Sequence, residues 1–386
     1  MAETIISAGH VCLDIMPVFP PNAQAKALDD ILCPGKLIHM EGADVHTGGS
    51  VANTGLALKL LGNEVRLLGK IGCDAFGSMV KSIMASYGAG GLIEDPAGAT
   101  SYSVVLSVPG HDRIFLHDPG ANDSFCQADI PDEALAGAKL FHFGYPPLMK
   151  KLYENGGKEL VELFRRVQAH GIITSLDFAA IDPTSSAGRV DWKGILRVLL
   201  PYVDFFVPSF EELCWMVDRN RYERLNRGGD MTEGLDLQAE AAPLAEEMIA
   251  MGCRAVLIKC GTSGLLYRTA GRETLAGVCG KLGVDPEAWA GKSGIQPCFR
   301  ADCVRSATGA GDTSIAAFLT GVLRGFGPAE CAALAAAEGA CCVTAYDALS
   351  GIRPIGELME RIRAGWPTIN QGSARGAPRT GTASPY

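Results

Sequence analysis

The stretch TGAGDTSIAAFLTG, Thr308–Gly321, sets small residues and one carboxylate at the start of an apolar helix. Thr313 to Leu323 carries helical apolar spacing, and the glycines lie just ahead of it. A Gly309-Ala310-Gly311 turn leaves successive backbone N–H groups bare of side chains, pointed at whatever approaches the helix N-terminus. That is an anion site. Asp312 would repel phosphate there unless it accepts a proton from a nucleophile while the amides hold the charge developing on a transferred group. Phosphoryl transfer to an alcohol needs both parts. A carboxylate with an ordinary pKa of about 3.9 suffices as base, because the alcohol becomes acidic only as its bond to phosphorus forms. Capping the helix is the other ordinary role of such an aspartate, and on this stretch alone the two are evenly balanced. Two similar patterns fail. Ser314 stands where G-x-G-x-x-G needs its third glycine, and the GKS at Gly291–Ser293 has Pro286 in place of the earlier glycine of a phosphate loop.

The chain has 386 residues, room for one large α/β domain or two ordinary ones. With 47% hydrophobic and 20% charged residues its balance is that of a globular protein. A net charge of -9 argues against a nucleic-acid surface. The N-terminus, MAETIISAGHVCLDIMP, has no basic leader, and CAALAAAEGACCVTAYDAL reads as a buried helix and not a membrane span. A cytoplasmic protein with no membrane partner is expected. Thirteen scattered cysteines without a C-x-x-C pair suit reduced thiols packed as small apolar groups, and the seven histidines form no H-x-x-x-H pair.

Short β-rich runs alternate with helical patterns: TIISAGHV, SVANTGLALKLLG, EVRLLGKIG, FGSMVKSIMASYG, KLFHFG, GKELVELFRRVQAHG, ITSLDF, DFFVPS and AVLIKCG. This predicts a parallel sheet with helices on both faces and ligands bound beyond the carboxyl ends of its strands. Two segments interrupt the rhythm, at about 15–46 and 98–121. The second contains SYSVVLSVPGHDRIFLH, two alternating strands around a Pro-Gly turn, and the pair is expected to form a β flap over the ligand edge. Alternation puts Arg113, Phe115 and His117 on one side of it. Residues 218–240 and 271–297 read as loop insertions. The stretch 366–386 has the composition of disorder, leaving 1–365 as the folded domain.

A second glycine motif, HTGGSVANTGLALKLLG, leads Gly48 and Gly49 into a helix carrying Asn53 near its start. Paired glycines admit a ligand against the backbone, Asn53 both donates and accepts, and Asp14 after the first strand offers a carboxylate to a pair of hydroxyls. These are tools for a sugar.

Together GGSVANTGLALKLLG and TGAGDTSIAAFLTG, with GKIGCDAFG at Gly69–Gly77, resemble the two signatures of the ribokinase-like carbohydrate kinases, the phosphofructokinase B type. The resemblance runs from about Ile5 to Ala364. It implies a three-layer α/β sandwich with a mostly parallel central sheet and a small β lid that often mediates homodimers. It also implies an ATP- and Mg²⁺-dependent kinase acting on a hydroxyl of a sugar or nucleoside. By position, Asp312 resembles the catalytic base, and Gly309, Ala310 and Gly311 the anion hole. Asp14, Gly48, Gly49 and Asn53 resemble substrate ligands, with Arg113 and Phe115 of the lid beside them. Lys259, Gly261 and Gly264 of IKCGTSG, with Thr308, resemble the nucleotide side. The usual Asn-x-x-Glu appears as Ser209 to Glu212, which keeps Glu212 for the Mg²⁺-water network. Ser306-Ala307-Thr308 replaces the Asp-Thr-Thr run of members that bind a monovalent cation, so potassium use is left open. Asp177 ends the strand ITSLDF without the Asn and Arg that often follow it. An ATP-dependent sugar kinase is the leading reading. A nucleoside kinase, with Phe115 stacked on a base, and a silent sugar-binding protein on the same fold are the alternatives.

Overall fold

A computed structural model of the chain describes residues 4–20, 33–108, 114–226 and 228–369. The β-branched and aromatic runs become strands β1 Thr4–Gly9, β2 Cys12–Pro17, β3 Ala43–Gly48, β4 Glu64–Leu68, β5 Lys70–Gly72, β6 Ile93–Asp95, β7 Tyr102–Leu106, β8 Ile114–Asp118, β9 Ala138–Gly144, β10 Ile173–Asp177, β11 Phe205–Phe206, β12 Ala255–Lys259, β13 Leu265–Thr269 and β14 Ser293–Gln296. The principal helices are α1 Ser50–Leu60, α2 Ala75–Ser86, α3 Lys150–Ala169, α4 Trp192–Leu199, α5 Phe210–Val217, α6 Ala242–Ala250, α7 Arg272–Leu282, α8 Ala310–Leu323, α9 Pro328–Cys342 and α10 Ile355–Arg363.

Eight strands form the central sheet in the order β14-β13-β12-β11-β10-β9-β1-β4. It is parallel from β4 through β12; β13 pairs antiparallel with both β12 and β14, so β13 alone runs against the others. Strands buried on both faces need apolar residues at every position, and alternate residues go to opposite layers. Ile6, Phe141, Phe143, Leu176 and Phe206 pack under α3, α4, α5 and α6. Ile5, Leu140, Ile173, Phe205 and Leu257 pack under α8, α9 and α10. This is the ribokinase-like three-layer sandwich that the two motifs imply. Among the described residues no helix is long and apolar enough to cross a membrane.

A second sheet, β3-β2-β7-β8, stands over one side of the first. Its register sets His46, Asp14, Ser103 and His117 in one row across four strands. Val11, Leu13, Val51, Leu67 and Val80 fill the space between it and the body. Arg113, together with the Pro-Gly turn of the flap, lies outside the described residues.

The presumed insertions contain structure. Residues 271–297 hold α7, whose Leu275, Val278 and Cys279 recur at helical spacing and are buried beside Trp289. Within 218–240 there are short helices at Arg219–Leu225 and Leu237–Glu240, each N-capped by an aspartate, Asp218 and Asp236. The run from 366 begins packed on the body: Trp366 stacks on Phe299 at 5.0 Å and donates its indole N–H to the Arg300 carbonyl. A half-buried indole stacked on Phe299 with its N–H bonded holds the start of this run despite the disorder-like composition around it.

Candidate active site

Helix α8 begins as the glycines predict. Gly309 is its N-cap in the left-handed region, φ 76°, and a Cβ there would sit 2.2 Å from that of Ala348. Both facts require glycine. The Ala310 amide turns back to the Ala307 carbonyl at 3.3 Å, a one-residue tightening of the expected anion hole. The amides of Gly311 and Asp312 belong to the first turn, whose donors take partners from outside the helix.

Asp312 is 5% exposed and points away from its own helix. Asn53 Nδ2 donates to its Oδ2 at 3.2 Å and Thr54 Oγ1 to its Oδ1 at 2.9 Å. Both donors sit on α1, directly after the Gly48-Gly49 pair. The two glycine motifs, far apart in sequence, therefore meet at one carboxylate. Asn53, read from sequence as a substrate ligand, also orients this aspartate. Tyr145, which the sequence reading missed, donates from its hydroxyl toward both oxygens at 2.8 Å.

Gly48 and Gly49 also have a packing reason to be glycine. A Cβ on Gly48 would lie 2.2 Å from Asp14 Oδ2, and one on Gly49 would lie 2.6 Å from His10 Nδ1. The bare backbone lets Asp14 and His10 tuck beneath the lid. Burial pushes the Asp14 carboxyl upward, opposed by hydrogen bonds from Cys12 and Ser103. Burial drives the His10 imidazole down to about 3, with His117 adding to the effect, so His10 is neutral. His117 bonds Ser103 Oγ at 3.0 Å, and Phe115 is 57% exposed on the same strand.

At the far side Lys259, ending β12, pairs with Asp177, ending β10, at 2.7 Å. Both are buried. Burial opposes the Lys259 charge, but Asp177 and Glu212 hold its pKa above the ordinary value. Burial pushes Asp177 upward, Lys259 counters it, and Glu212 and Asp312 reinforce it. A Cβ on Gly311 would lie 3.8 Å from Lys259 Nζ, so the ammonium rests against the turn that opens α8. This explains the lysine better than a strand-end residue reaching for solvent. Gly261 and Gly264 both have positive φ, 49° and 110°, and a Cβ on them would meet Thr232 Oγ1 at 2.2 Å and the Gln296 carbonyl at 2.5 Å. Ser263 Oγ donates to the Thr232 carbonyl at 2.6 Å, so the segment near 232 braces this loop.

Mg²⁺ carried by nucleotide phosphates takes one or two carboxylates and keeps several waters. Glu212 fits that demand. Its Oε2 accepts the Ser209 backbone N–H at 2.8 Å while Ser209 Oγ accepts the Glu212 amide at 3.2 Å, a capping box that fixes the carboxylate at the start of α5. Ser209 thus serves as a cap where an amide was expected. Ser306 Oγ accepts the Thr308 amide at 3.1 Å and donates to Thr308 Oγ1 at 3.0 Å, holding the turn before Gly309 internally.

The model for the pfkB family carbohydrate kinases matches residues 11–354. Fructokinase-1 of Oryza sativa subsp. japonica is 26% identical over 147 residues, 37% of this chain and 42% of the rice protein. Fructokinase-2 of the same plant is 24% identical over 240 residues, 60% of this chain and 66% of the rice protein. The matched stretches thus span less than two thirds of either relative. The crystal structure of fructokinase with bound ATP from Xylella fastidiosa superposes with a TM-score of 0.68 at 20% identity, covering 94% of this chain and 99% of that one. At that identity the likeness establishes the fold.

Proposed function

The chain belongs to the pfkB family of carbohydrate kinases, and from that premise we propose that it is an ATP-dependent sugar kinase with Asp312 as the base. One observation carries the reading: a buried carboxylate at the N-terminus of α8 is aimed by Asn53 and Thr54 of the other glycine motif. A helix cap would accept from its own helix, whereas this aspartate accepts from three residues of other elements.

The acceptor sugar lies under the lid, against Asp14 and Asn53 and the backbone of Gly48 and Gly49, with Phe115 at the flap. ATP lies along Lys259, Gly261, Gly264 and Thr308, with its γ-phosphate at the amides of Gly309 and Gly311, since the Ala310 amide is turned to the Ala307 carbonyl. The acceptor oxygen attacks phosphorus in line as Asp312 takes its proton, and the turn amides with Lys259 hold the charge that spreads over the phosphoryl oxygens. Lys259, already countered by Asp177, brings a cation to this point without a net charge in the core. Glu212 would hold Mg²⁺ through its waters, and the ion would supply charge neutralisation at the phosphates. Most of the rate comes from positioning and the exclusion of water.

The lid edge β8 exposes Leu116 as well as Phe115. An exposed apolar edge strand invites pairing with a second copy, which supports a homodimer through the lid; sedimentation equilibrium tests it.

The function is tested by ADP release with ATP and Mg²⁺ across ketoses, aldoses, sugar acids and nucleosides. Stimulation by one or more sugars is expected. Stimulation by nucleosides alone would move the reading to a nucleoside kinase, and stimulation by nothing would move it to a silent binding protein.

A further inference from the structure

Tyr145 follows β9 at the ligand edge of the sheet and is one of two non-glycine residues with positive φ among those described, at φ 68° and ψ 40°. A side chain other than glycine, asparagine or aspartate seldom adopts this backbone, and when one does, its surroundings hold it there. Here the Tyr145 amide donates to the Asp177 carbonyl at 3.3 Å, and the Leu148 amide closes a turn onto the Tyr145 carbonyl at 3.0 Å through Pro146 and Pro147. The outcome of this bracing is the position of the hydroxyl, 2.8 Å from each oxygen of Asp312.

A carboxylate offers about four lone-pair sites. On Asp312, Thr54 takes one site of Oδ1 and Asn53 one of Oδ2, while the tyrosine hydroxyl lies across the remaining inner pair. An alcohol that is to hand its proton to this carboxylate needs one of those inner sites. We infer that Tyr145 is a gate on the base, its hydroxyl standing in the place of the acceptor hydroxyl until a sugar displaces it. The inference rests on the reading of Asp312 as base.

The gate has a use. Without an acceptor, the space beside Asp312 would admit water. Water would then give its proton to Asp312 while its oxygen bonds the γ-phosphorus and the bond to the β-phosphate oxygen breaks, releasing ADP and inorganic phosphate. A phenol tethered at the strand end covers the base against that loss. The tyrosine ring lies 6.3 Å from His10, and His10 lies 5.2 Å from His117 on lid strand β8. A sugar entering under the lid therefore meets the row of rings that ends at the gate.

The test is ATP hydrolysis with Mg²⁺ and no acceptor, measured in the wild type, Tyr145→Phe and Tyr145→Asn. Phenylalanine keeps the ring without the donor; asparagine suits the left-handed backbone and withdraws the side chain, so the pair covers a folding failure of either. A hydrogen bond to a charged group is worth roughly a tenfold to hundredfold change in occupancy, and acceptor-free hydrolysis is expected to rise by roughly that factor in both variants. The gain should vanish when Asp312→Asn is added. Hydrolysis at or below the wild-type rate in the folded variants would overturn the gate. A gain that survives Asp312→Asn would overturn the base assignment instead, and a wild type whose ADP release no sugar or nucleoside stimulates would overturn the kinase reading.

Discussion

Replacing Glu338 with glutamine is expected to remove a large pH dependence from the stability of the layer that carries Asp312. Glu338 is fully buried on α9, which packs so closely on α8 that a Cβ on Gly339 would lie 2.7 Å from Ser314 Oγ. Its carboxyl oxygens accept the Arg353 backbone N–H at 3.3 and 3.4 Å. The Arg353 guanidinium itself turns to the Ile352 carbonyl at 3.2 Å and to Glu357 at 3.9 Å. Burial therefore pushes Glu338 from the ordinary 4.5 up to about 8, with the Arg353 amide and charge opposing. A carboxyl whose folded pKa is raised is best tolerated protonated. Its favourable contribution is complete below 4.5 and is lost as pH rises to about 8. At 1.36 kcal/mol per pH unit, the loss between about pH 5.5 and 8 comes to about 3 kcal/mol. Glutamine does not titrate. Urea unfolding of both proteins across this range should show the variant gaining about 3 kcal/mol on the wild type toward alkaline pH. Parallel pH profiles, with a difference that changes by less than about 0.5 kcal/mol, would refute the reasoning, since they would mean that Glu338 ionises in the folded protein at no cost.

Thr54→Val keeps the buried shape and deletes the donor to Asp312 Oδ1. Turnover should fall roughly tenfold to hundredfold with little change in KM for ATP, and steady-state rates within twofold of wild type would count against Thr54 as an orienting group. Gly309→Ala meets both a φ of 76° and the Ala348 Cβ at 2.2 Å. It should cost about 2 kcal/mol or more of stability, read as a lower thermal midpoint; an unchanged midpoint would mean that the turn before α8 relaxes freely.

The fold was legible because its signals are local. Apolar runs of strand and helix length alternate along the chain, and the glycine turns before α1 and α8 announce themselves within a few residues. That both motifs serve one site was readable from residue type, since a base and a pair of hydroxyl-binding groups complete one another. The contacts that aim Asp312 were not readable. Asn53 and Thr54 reach Asp312 across 259 and 258 residues, and threonine in an apolar helix gives no sign that its hydroxyl is spent on a distant carboxylate. Tyr145 lies 167 residues from its partner. Its only clue was position, at the carboxyl end of KLFHFG, where a parallel sheet binds ligands, just before a Pro-Pro turn. The Lys259–Asp177 pair spans the ends of β12 and β10, which flank β11, a placement that only the sheet order reveals. Helix α7 was hidden by its glycines, which lower helix propensity while leaving the buried Leu275, Val278 and Cys279 at helical spacing.

The central claim is that the two glycine motifs build one site in which Asp312 activates an alcohol toward ATP. Phosphorus-31 NMR of the reaction with the acceptor found by the ADP screen tests it most directly, using the wild type and Asp312→Asn. The account predicts a phosphate-ester resonance that grows at the rate of ADP formation in the wild type, with a rate at least roughly a hundredfold to ten-thousandfold lower in the variant. Inorganic phosphate as the only product, or an Asp312→Asn rate within tenfold of wild type, would contradict it.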